Sequence, residues 1–358
     1  SQLNRSIAVI GAGVVGLGSA WQLALKGHSV TLLDSHWGKP VVRQTQGSGL
    51  NGTSASLGVL MGNVFRRTSG RGWRLRRRSM ELWPRWMQAL QEFEASVTLQ
   101  TGLLQIAADQ ESAARMAVLA EQRSDLGLEL QTSEQVRSIW PTALHGALLS
   151  KADGRIDPLQ LQTALRQALV RQGAQPISSH VVQLERHGSR WRVHHAEGHS
   201  TCHDGVVICA GLSTSELLEP LGHSLPISPV LGQALMLQLQ EGPANWSNWP
   251  AVLVDQGFNL IPVDPGRLLL GATVEPGTVA ADDPLALMRN LNDSAPDWLR
   301  HATVIEHWSG LRARPVERPA PVLEVLEPGL IVASGLYRNG VLLAPATAEW
   351  ISTELQNA

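Results

Sequence analysis

The stretch that decides the fold is residues 6–34, SIAVIGAGVVGLGSAWQLALKGHSVTLLD. Its glycines at 11, 13 and 16 follow a short apolar run and open an apolar segment that ends at Gly27. In this pattern Gly11 permits a tight strand-to-helix turn, Gly13 leaves room for a pyrophosphate, and Gly16 lets the helix approach the strand. The spacing therefore predicts a β-α-β unit that binds a dinucleotide at the N-terminus of its first helix.

An acidic residue ends the next apolar run of this unit. Asp34 lies at the end of the run that begins at His28. A carboxylate in this position accepts hydrogen bonds from the ribose hydroxyls of an adenosine. Because strand, glycine triplet, helix, strand and acid occur in the expected order, a glycine-rich turn without a ligand is the less favoured interpretation.

The composition is that of an ordinary globular protein. The chain has 358 residues, 43% of them hydrophobic, and 29 basic against 31 acidic side chains, so we expect about two domains and no general nucleic-acid or membrane-surface binding. No run approaches the roughly 20 apolar residues of a membrane span and no signal-peptide pattern is present, so a cytoplasmic protein is expected. Cys202 and Cys209 are expected to be free thiols.

Two local clusters of charged or polar residues have alternative interpretations. Seven arginines lie in residues 66–78, and five histidines lie in residues 187–203. The arginines could attract a polyanion, but we favour a surface loop leading into a helix with Leu75, Leu82 and Trp86 turned to the core and the arginines turned to solvent. The histidines fit a β-meander whose alternation sends neighbours to opposite faces, so a structural role is favoured and no metal is predicted.

Strand signals of the dinucleotide type recur late in the sequence. DGVVICAG at 204–211 is typical of a buried parallel strand, with Gly211 allowing another backbone to approach closely, and GLIVASG at 329–335 repeats the pattern. Residues 86–147 are rich in helix formers, whereas 226–275 alternate as strands do. These signals predict an α/β protein with interleaved domains. The predicted dinucleotide-binding domain comprises 1–85, 148–222 and 305–358, and the predicted substrate domain, with a mixed, largely antiparallel sheet, comprises 86–147 and 223–304.

Several blocks of the sequence resemble the FAD-dependent D-amino acid oxidase superfamily, and most closely its glycine oxidase branch. They include GAGVVGLG at 11–18, GTSASLG at 52–58, WSGLR at 308–312 and YRNGVLLAPAT at 337–347. The resemblance runs nearly end to end. It implies a Rossmann-like, GR2-type FAD-binding domain interleaved with the substrate domain.

The cofactor implied by this resemblance is FAD, bound non-covalently, since the chain lacks the C-terminal cysteine that tethers flavin in sarcosine oxidases. The positions that the resemblance assigns to FAD binding are Gly11, Gly13, Val14, Val15, Gly16, Asp34, Ser35, Thr53, Ser54, Ala55, Leu57, Gly58, Val59, Leu60, Val181, Ala210, Gly211, Leu212, Arg312, Arg338, Asn339, Gly340, Val341 and Leu342.

The implied reaction is oxidation of a small amino acid of the glycine, N-methyl or D-amino acid class. Hydride passes from the α-carbon to flavin N5, and the imino acid is hydrolysed to a keto acid and ammonia or an amine, so the protein mainly orients the substrate and excludes water. Arg312 is the main candidate for binding the carboxylate, because a guanidinium does so bidentately; a surface salt bridge is the alternative. Arg338 could pair with the substrate or brace the flavin loop, and Tyr337 could reach the substrate or fill an interface.

Three departures from the glycine oxidase pattern concern the substrate. Asn259, the fourth candidate catalytic residue, stands where that branch has a tyrosine, so a hydroxyl partner for the carboxylate is missing. Leu231 replaces a basic residue and Leu336 replaces a histidine, and both changes are expected to make the site less polar. Activity on glycine itself is therefore in doubt, and a bulkier or N-substituted amino acid becomes easier to accommodate.

Other functions remain open at this stage. The electron acceptor could be dioxygen or a quinone, and the protein could form homo-oligomers. A nicotinamide-dependent dehydrogenase uses the same glycine pattern, and a non-catalytic FAD-binding protein would share the whole resemblance. A tRNA-modifying oxidase of the same superfamily draws slight support from the arginines in 66–78, although no nucleic-acid partner is predicted.

Overall fold

The computed structural model describes residues 4–43, 52–243 and 246–358. Within these ranges the strands are β1 Ser6–Ile10, β2 Ser29–Asp34, β3 Val59–Leu60, β4 Leu99–Ile106, β5 Leu128–Gln131, β6 Ala147–Ile156, β7 Gln175–Ser178, β8 Val181–His187, β9 Arg190–His195, β10 Ser200–His203, β11 Gly205–Ile208, β12 Ile227–Gln238, β13 Val252–Asp255, β14 Phe258–Asp264, β15 Arg267–Gly271, β16 Glu275–Pro276, β17 Thr303–Pro315, β18 Val322–Glu327 and β19 Leu330–Ser334. The helices are α1 Val14–Leu25, α2 Gly52–Ala55, α3 Arg71–Leu90, α4 Gln110–Gln122, α5 Ser133–Val136, α6 Pro158–Arg171, α7 Thr214–Leu218, α8 Asp282–Arg289, α9 Asp297–Arg300 and α10 Gly340–Gln356.

A mainly parallel sheet forms the dinucleotide half of the molecule. Its order is β18-β19-β11-β1-β2-β7, and all neighbours are parallel except the edge pair of β18 and β19. The two late apolar runs therefore form the parallel strands β11, beside β1, and β19, beside β11, as the sequence predicts for buried parallel strands. The strands β1, β11 and β19 are apolar along almost their whole length because both faces of the sheet are covered.

Helices α1, α3, α6 and α10 share one hydrophobic core with this sheet. An aromatic cluster lies inside this core: the ring centroid of Trp86 is 5.1 Å from that of Trp21 and 5.5 Å from that of Trp83. The indole of Trp86 approaches α1 at Gly18, where an added Cβ would lie 2.7 Å from the ring. This packing places α1 and α10 side by side on the sheet.

The second large sheet has the order β16-β12-β15-β14-β13-β4-β6-β3, with β17 beside β12 and β5 beside β6. The pair of β13 and β4 is parallel and the other pairs are antiparallel, in agreement with the predicted mixed, largely antiparallel sheet. One face packs against α8, α9 and the segment around Trp140. The opposite face packs against Ala55, Leu57 and Val59 from the first half of the chain.

The structure corrects three predicted domain boundaries. The boundary at 85 and 86 falls inside α3, whose Trp86 and Leu90 lie in the core of the parallel sheet. Strand β6 begins at Ala147 and pairs with β4 in the second sheet, although 148–222 was assigned to the dinucleotide half. Strand β17 likewise pairs along β12, although 305–358 was assigned to the dinucleotide half. Pairing with strands distant in sequence decides these positions, and local composition does not reveal it.

The predicted β-meander is the antiparallel sheet β8-β9-β10. Its neighbouring histidines do point to opposite sides. His194 Nε2 lies 2.7 Å from Glu185 Oε2 at the surface, whereas His195 is buried. A chain of hydrogen bonds leads from His203 through Thr201 to His195, with N···O distances of 2.9 and 3.1 Å. Within the described ranges no three potential metal-ligating side chains come together, and no helix there is long and apolar enough to cross a bilayer.

The arginine-rich stretch is a loop followed by α3. Leu82 and Trp86 are buried and Leu75 packs against the core, as predicted. The expectation that the arginines face solvent holds for the exposed Arg66, Arg67, Arg71 and Arg74. It is wrong for Arg76 and Arg77, which are partly buried. Several of these guanidinium groups bind acceptors of the protein itself. Arg71 donates to the carbonyl of Leu323, Arg76 to that of Met61, Arg77 to Asn63 Oδ1, and Arg78 pairs with Glu81 and Glu349.

Candidate active site

The predicted glycine turn lies at the carboxyl end of β1. An added Cβ at Gly11 would lie 2.2 Å from the carbonyl oxygen of Cys209, and one at Gly16 would lie 1.8 Å from the carbonyl oxygen of Gly11. The Gly11 N–H donates to the carbonyl of Leu33 at 2.9 Å, which joins the turn to β2. Gly16 is therefore needed for close backbone approach, as predicted. The φ of +106° at Gly11 fits the predicted tight turn, and Gly11 also lies close to the backbone of Cys209.

Two helix N-termini meet at this edge. Helix α1 has Gly13 as its N-cap, and an added Cβ there would contact only Thr53 Oγ1, at 3.1 Å, among the described residues. Helix α10 begins at Gly340, where an added Cβ would lie 4.0 Å from Val14 Cγ1 and has no closer neighbour in the described part of the chain. Asn339, the N-cap of α10, makes no side-chain capping bond in that same part. Two positive dipole ends thus converge on one place suited to a diphosphate.

Asp34 lies at the end of β2, partly exposed. Its Oδ1 accepts from the Ala12 N–H at 3.2 Å and its Oδ2 from the His36 N–H at 2.9 Å. A carboxylate offers about four acceptor sites, so lone pairs remain for two hydroxyl groups. The Ser179 N–H donates to the Asp34 carbonyl at 3.2 Å, and this brings the start of β8 at Val181 beside the same edge. Ser35 follows Asp34 and is exposed.

The turn after β11 contains Ala210, Gly211 and Leu212 at the same edge. The predicted reason for Gly211 is wrong, because no described atom lies within 4 Å of an added Cβ. Its φ of +55° supplies the reason, since this conformation favours glycine.

The loop at residues 52–60 connects the two sheets. Trp308 Nε1 donates to the carbonyl of Ala55 at 2.9 Å, and Arg155 Nε donates to that of Leu57 at 2.7 Å. An added Cβ at Gly58 would lie 1.8 Å from the carbonyl oxygen of Ile156, so the loop also packs on β6. The Arg155 side chain is only 3% exposed, and burial lowers its pKa to about 10. These contacts hold the loop in one position.

Several predicted cofactor residues use their side chains for packing. Val14, Val15, Leu60, Val341 and Leu342 all belong to the core of the parallel sheet, while Val59 packs on the second sheet. Contacts from these positions to a cofactor would therefore come mainly from the backbone. The side chain of Ser54 lies outside the described part of the structure.

Arg312 lies on β17, opposite Val230 and on the face that packs against the loop 52–60. Its Nη1 donates to the carbonyl of Leu231 at 3.3 Å and its Nη2 to that of Thr273 at 3.1 Å. The guanidinium lies over Gly232, where an added Cβ would be 2.6 Å from Nη2. Arg312 has no ion pair with any described residue, which argues against the alternative of a surface salt bridge. Desolvation by burial, followed by the charge of nearby Arg338, lowers its pKa.

A buried polar network fixes one of the two carbonyls that Arg312 binds. Thr273 Oγ1 donates to Glu275 Oε2 at 2.5 Å and accepts from the Gln233 N–H at 2.8 Å, while the Thr273 N–H donates to the Gln233 carbonyl at 3.1 Å. Glu275 in turn accepts from the Ala281 N–H at 2.8 Å. The sequence analysis did not identify this network, and only the unusual density of polar residues beside strand signals marks it.

Tyr337 and Arg338 follow β19. Arg338 is exposed, and Tyr337 is half-buried with a φ of +54°. The Tyr337 N–H donates to the carbonyl of Ala313 at 3.1 Å, and the guanidinium of Arg314 lies 5.6 Å from the centre of its ring. The segment is thus attached to β17 within two residues of Arg312.

Asn259 lies on the same sheet face as Arg312. Register pairs it with Gly271, Gly271 with Ala234, and Ala234 with Trp308, so these four positions share one face. The Asn259 Oδ1 atom is buried and has no hydrogen-bond partner among the described residues. An unpaired buried acceptor is costly, so a ligand donor would stabilise it.

The expectation that Leu231 and Leu336 make the site less polar needs correction. Leu231 pairs with Leu311 and Glu275 on the sheet face opposite to Arg312, so only its carbonyl reaches the site. Leu336 is buried in the core of the parallel sheet.

The sequence profile of the family described as FAD dependent oxidoreductase matches residues 6–353 of this chain. The chain belongs to this family. It is 28% identical to a glycine oxidase of Geobacillus kaustophilus over 95% of this chain and 90% of that protein, and 28% identical to a glycine oxidase of Pseudomonas putida over 99% and 96%. The crystal structure of the Geobacillus kaustophilus enzyme superposes with a TM-score of 0.83 and 26% identity, covering 100% of this chain and 95% of that one.

The residues at the edge of the parallel sheet fit the FAD of this oxidoreductase. The space left by Gly13 and Gly340 lies between two helix N-termini, and Asp34 retains lone pairs for a ribose. The loop 52–60 then bridges from this edge to the sheet that carries Arg312. Both cysteines are free, and burial raises the pKa of Cys209 to about 12, which keeps it a protonated, unreactive thiol.

Proposed function

We propose that this oxidoreductase oxidises the carbon–nitrogen bond of a small amino acid of the glycine, N-methyl or D-amino acid class. The product is an imino acid, which water hydrolyses to a keto acid and ammonia or an amine. The observation that carries the proposal is Arg312, a half-buried guanidinium without a carboxylate partner among the described residues, on the sheet face that packs against the loop leading from the cofactor edge. The similarity to two glycine oxidases supports the same class of substrate.

The protein's own groups would orient the substrate. The remaining N–H donors of Arg312 would bind the carboxylate, while the two carbonyls that it already contacts keep the guanidinium flat over Gly232. Asn259 Oδ1 would accept a hydrogen bond from the substrate nitrogen. With the carboxylate and the nitrogen both held, the α-carbon between them has a fixed position.

The cofactor would be held by the glycine turn, the two helix N-termini and Asp34, with the loop 52–60 beside its reactive ring. When bound, FAD supplies the acceptor for the hydride that leaves the α-carbon. Burial of the loop against Arg155 and Trp308 keeps water from the space between the two sheets. We propose that FAD is bound non-covalently, because Cys209 is a partly buried thiol whose raised pKa keeps it protonated and Cys202 lies on the small sheet.

Anaerobic mixing tests this proposal. Holoenzyme is mixed with glycine, sarcosine, D-amino acids and L-proline while the visible flavin absorption is followed, and at least one amino acid is expected to bleach it. Flavin that remains oxidised with every amino acid would instead favour a non-catalytic FAD-binding protein. Subsequent mixing with air-saturated buffer or with a soluble quinone distinguishes the two proposed electron acceptors by the rate of reoxidation.

Replacement of Arg312 tests the role of its guanidinium. Arg312→Lys keeps the charge but loses the planar fork, so we expect FAD to remain bound and the substrate affinity measured by anaerobic reduction to fall about ten- to a hundredfold. The matched control is Arg289→Lys, because Arg289 also donates only to backbone carbonyls, those of Leu299, Arg300 and Ala302. Equal reduction kinetics in Arg312→Lys and wild type would refute the assignment.

A further inference from the structure

A depression of about 410 Å³ lies between the start of α3 and the end of α4, and none of the residues proposed to bind FAD or the amino acid lines it. Arginine guanidinium groups, a threonine hydroxyl, an amide and one carboxylate contribute polar atoms to it. The residues used below are Thr68, Trp73, Arg77, Gln122, Arg123 and Asp125.

Arg123 is a buried cation within this depression. It is 3% exposed, and its Nη1 donates to the carbonyls of Asn63, at 2.7 Å, and Phe65. Its Nη2 donates to the carbonyl of Arg67 at 3.3 Å. These acceptors are neutral, and Arg123 forms no ion pair with the described residues. A buried charge that is satisfied only by dipoles leaves a net positive potential.

Arg77 brings a second guanidinium to the same place. Its Nη1 donates to Asn63 Oδ1 at 3.2 Å, so the side chain and the backbone of one residue hold both arginines. The two charges are close enough that Arg77, after burial, lowers the pKa of Arg123. Two like charges held together are unfavourable unless an anion joins them.

One carboxylate near this pair, that of Asp153, offsets part of its charge, since it favours the charged form of Arg123. Asp153 is fully buried and accepts from the N–H groups of Gly62 and Asn63 and from Ser150 Oγ. Burial raises its pKa to about 6, so it carries less than a full charge near that pH. Asp125 is exposed at the rim of the depression. The exposed Arg66, Arg67 and Arg74 add positive charge in the same stretch of chain.

We propose that this depression binds the phosphate group of a small phosphorylated ligand, with Arg77, Arg123 and Thr68 as donors. The N–H donors that Arg77 and Arg123 do not use in the bonds above, together with the Thr68 hydroxyl, are more than one carboxylate accepts, whereas a phosphate presents three oxygens and up to two charges. A strand of nucleic acid is less suited. The ring of Trp73 is already stacked on Phe65, at 6.5 Å and 14°, and the Arg123 guanidinium lies 4.2 Å from its centre, so the protein's own groups occupy it.

The test is calorimetric titration of the FAD-loaded protein with inorganic phosphate and with pyrophosphate at low ionic strength. With FAD bound, the cofactor's own diphosphate site is not available to the probe. Arg77→Gln should weaken binding about tenfold, as expected for losing one charged hydrogen-bond donor. Asp125→Asn should tighten binding, because it removes the carboxylate at the rim. The control Arg85→Gln removes the same charge from an exposed position on α3 and should leave the affinity unchanged.

Opposite effects of the Arg77 and Asp125 variants, with an unchanged control, would establish the site. Absence of heat with either probe would overturn the proposal, as would equal weakening by Arg77→Gln and Arg85→Gln, which indicates only the general charge of the helix. A single-stranded oligonucleotide that displaces pyrophosphate at a lower concentration than a nucleoside monophosphate does would also overturn it, in favour of a nucleic-acid surface. Because Asp125 is exposed, Asp125→Asn is expected to fold, and its titration remains informative if an arginine variant fails to fold.

Discussion

The edge of the parallel sheet and the face of the ten-stranded sheet would meet at FAD, but they are built differently. The first is made of backbone: Gly11 and Gly16 approach other main-chain atoms, and helix N-termini supply the polar groups. The second is made of side chains, with Arg312 and Asn259 placed on one sheet face by two separate strands. A site made of backbone leaves a pattern of glycines within 30 or so residues, whereas a site made of side chains depends on strand register, which the local sequence does not contain.

The largest expected effect comes from disturbing the backbone edge. In Gly16→Ala the new Cβ would lie 1.8 Å from the Gly11 carbonyl oxygen, and main-chain atoms cannot move aside as a flexible side chain does. We expect about 3 kcal/mol of destabilisation and protein that purifies without flavin. The flavin-to-protein absorbance ratio measures this. Gly242→Ala, where no described atom lies within 4 Å of the added Cβ, is the control, and full flavin content in Gly16→Ala would show that the turn is not the cofactor site.

The corresponding change on the side-chain face should spare the cofactor. In Gly232→Ala the added Cβ would lie 2.6 Å from Arg312 Nη2, so the guanidinium must leave its place over the strand. We expect normal FAD content but roughly ten- to hundredfold weaker amino-acid binding, the range for one hydrogen bond to a charged group. Loss of flavin together with substrate binding would contradict the separation of the two surfaces. Stopped-flow reduction at several substrate concentrations makes the measurement.

A smaller effect tests whether Asn259 is kept for binding at the expense of stability. Asn259→Leu removes the buried, unpartnered Oδ1 at nearly constant volume. We expect the free energy of unfolding in urea to increase by about 1 kcal/mol while affinity for the amino acid falls. A variant that is less stable than wild type would indicate that the amide has a structural partner. Asn290→Leu is the contrasting variant. The Asn290 amide donates to the Ala286 carbonyl, so removing it should lower the free energy of unfolding.

The smallest expected effect is a dependence of the free energy of unfolding on pH, caused by the histidines of the small sheet β8-β9-β10. Burial, and then the charge of His199, lower the pKa of His195 below its ordinary value of 6.5, and burial also lowers the pKa of His203. The unfolded chain therefore takes up protons first as the pH falls, so stability is retained above about pH 6.5 and is lost below it, down to the folded-state pKa. Urea unfolding between pH 8 and 5 should show a steeper decline for wild type than for His195→Gln. Parallel curves would exclude His195 as a source of this dependence.

The sequence predicted the backbone half of the molecule in some detail. The reason assigned to Gly16 is confirmed by the distances and that assigned to Gly11 by its φ of +106°, and the runs that became β11 and β19 pair in parallel as predicted. For Gly211 the reason was wrong. A glycine that is needed for a positive φ at an open position cannot be distinguished in the sequence from one that is needed for a close contact. Local chemistry therefore identifies a glycine, but only neighbouring atoms tell which of its properties is used.

The side-chain half was predicted less well. Arg312 was selected by resemblance, but Arg155 and the network around Thr273 were not identified. The opposite-face position of Leu231 was also missed, because it depends on the unbroken register between β12 and β17. In each case the contact joins residues more than 35 positions apart in the chain. Which charged side chains become buried at these contacts is determined by the pairing of distant segments. The periodicity of the sequence does not predict it.

Strand β17 carries both Trp308, whose indole N–H donates to the loop beside the cofactor edge, and Arg312, four residues further along the same strand. Both side chains leave the same face of one extended segment, where successive residues advance by about 3.3 Å. If the two halves of the protein rock against each other during turnover, the anchor of the loop and the cation for the substrate travel as a rigid unit. The distance between the bound amino acid, which donates the electrons, and the loop beside the flavin is then set by one strand. It does not depend on how closely the two halves come together.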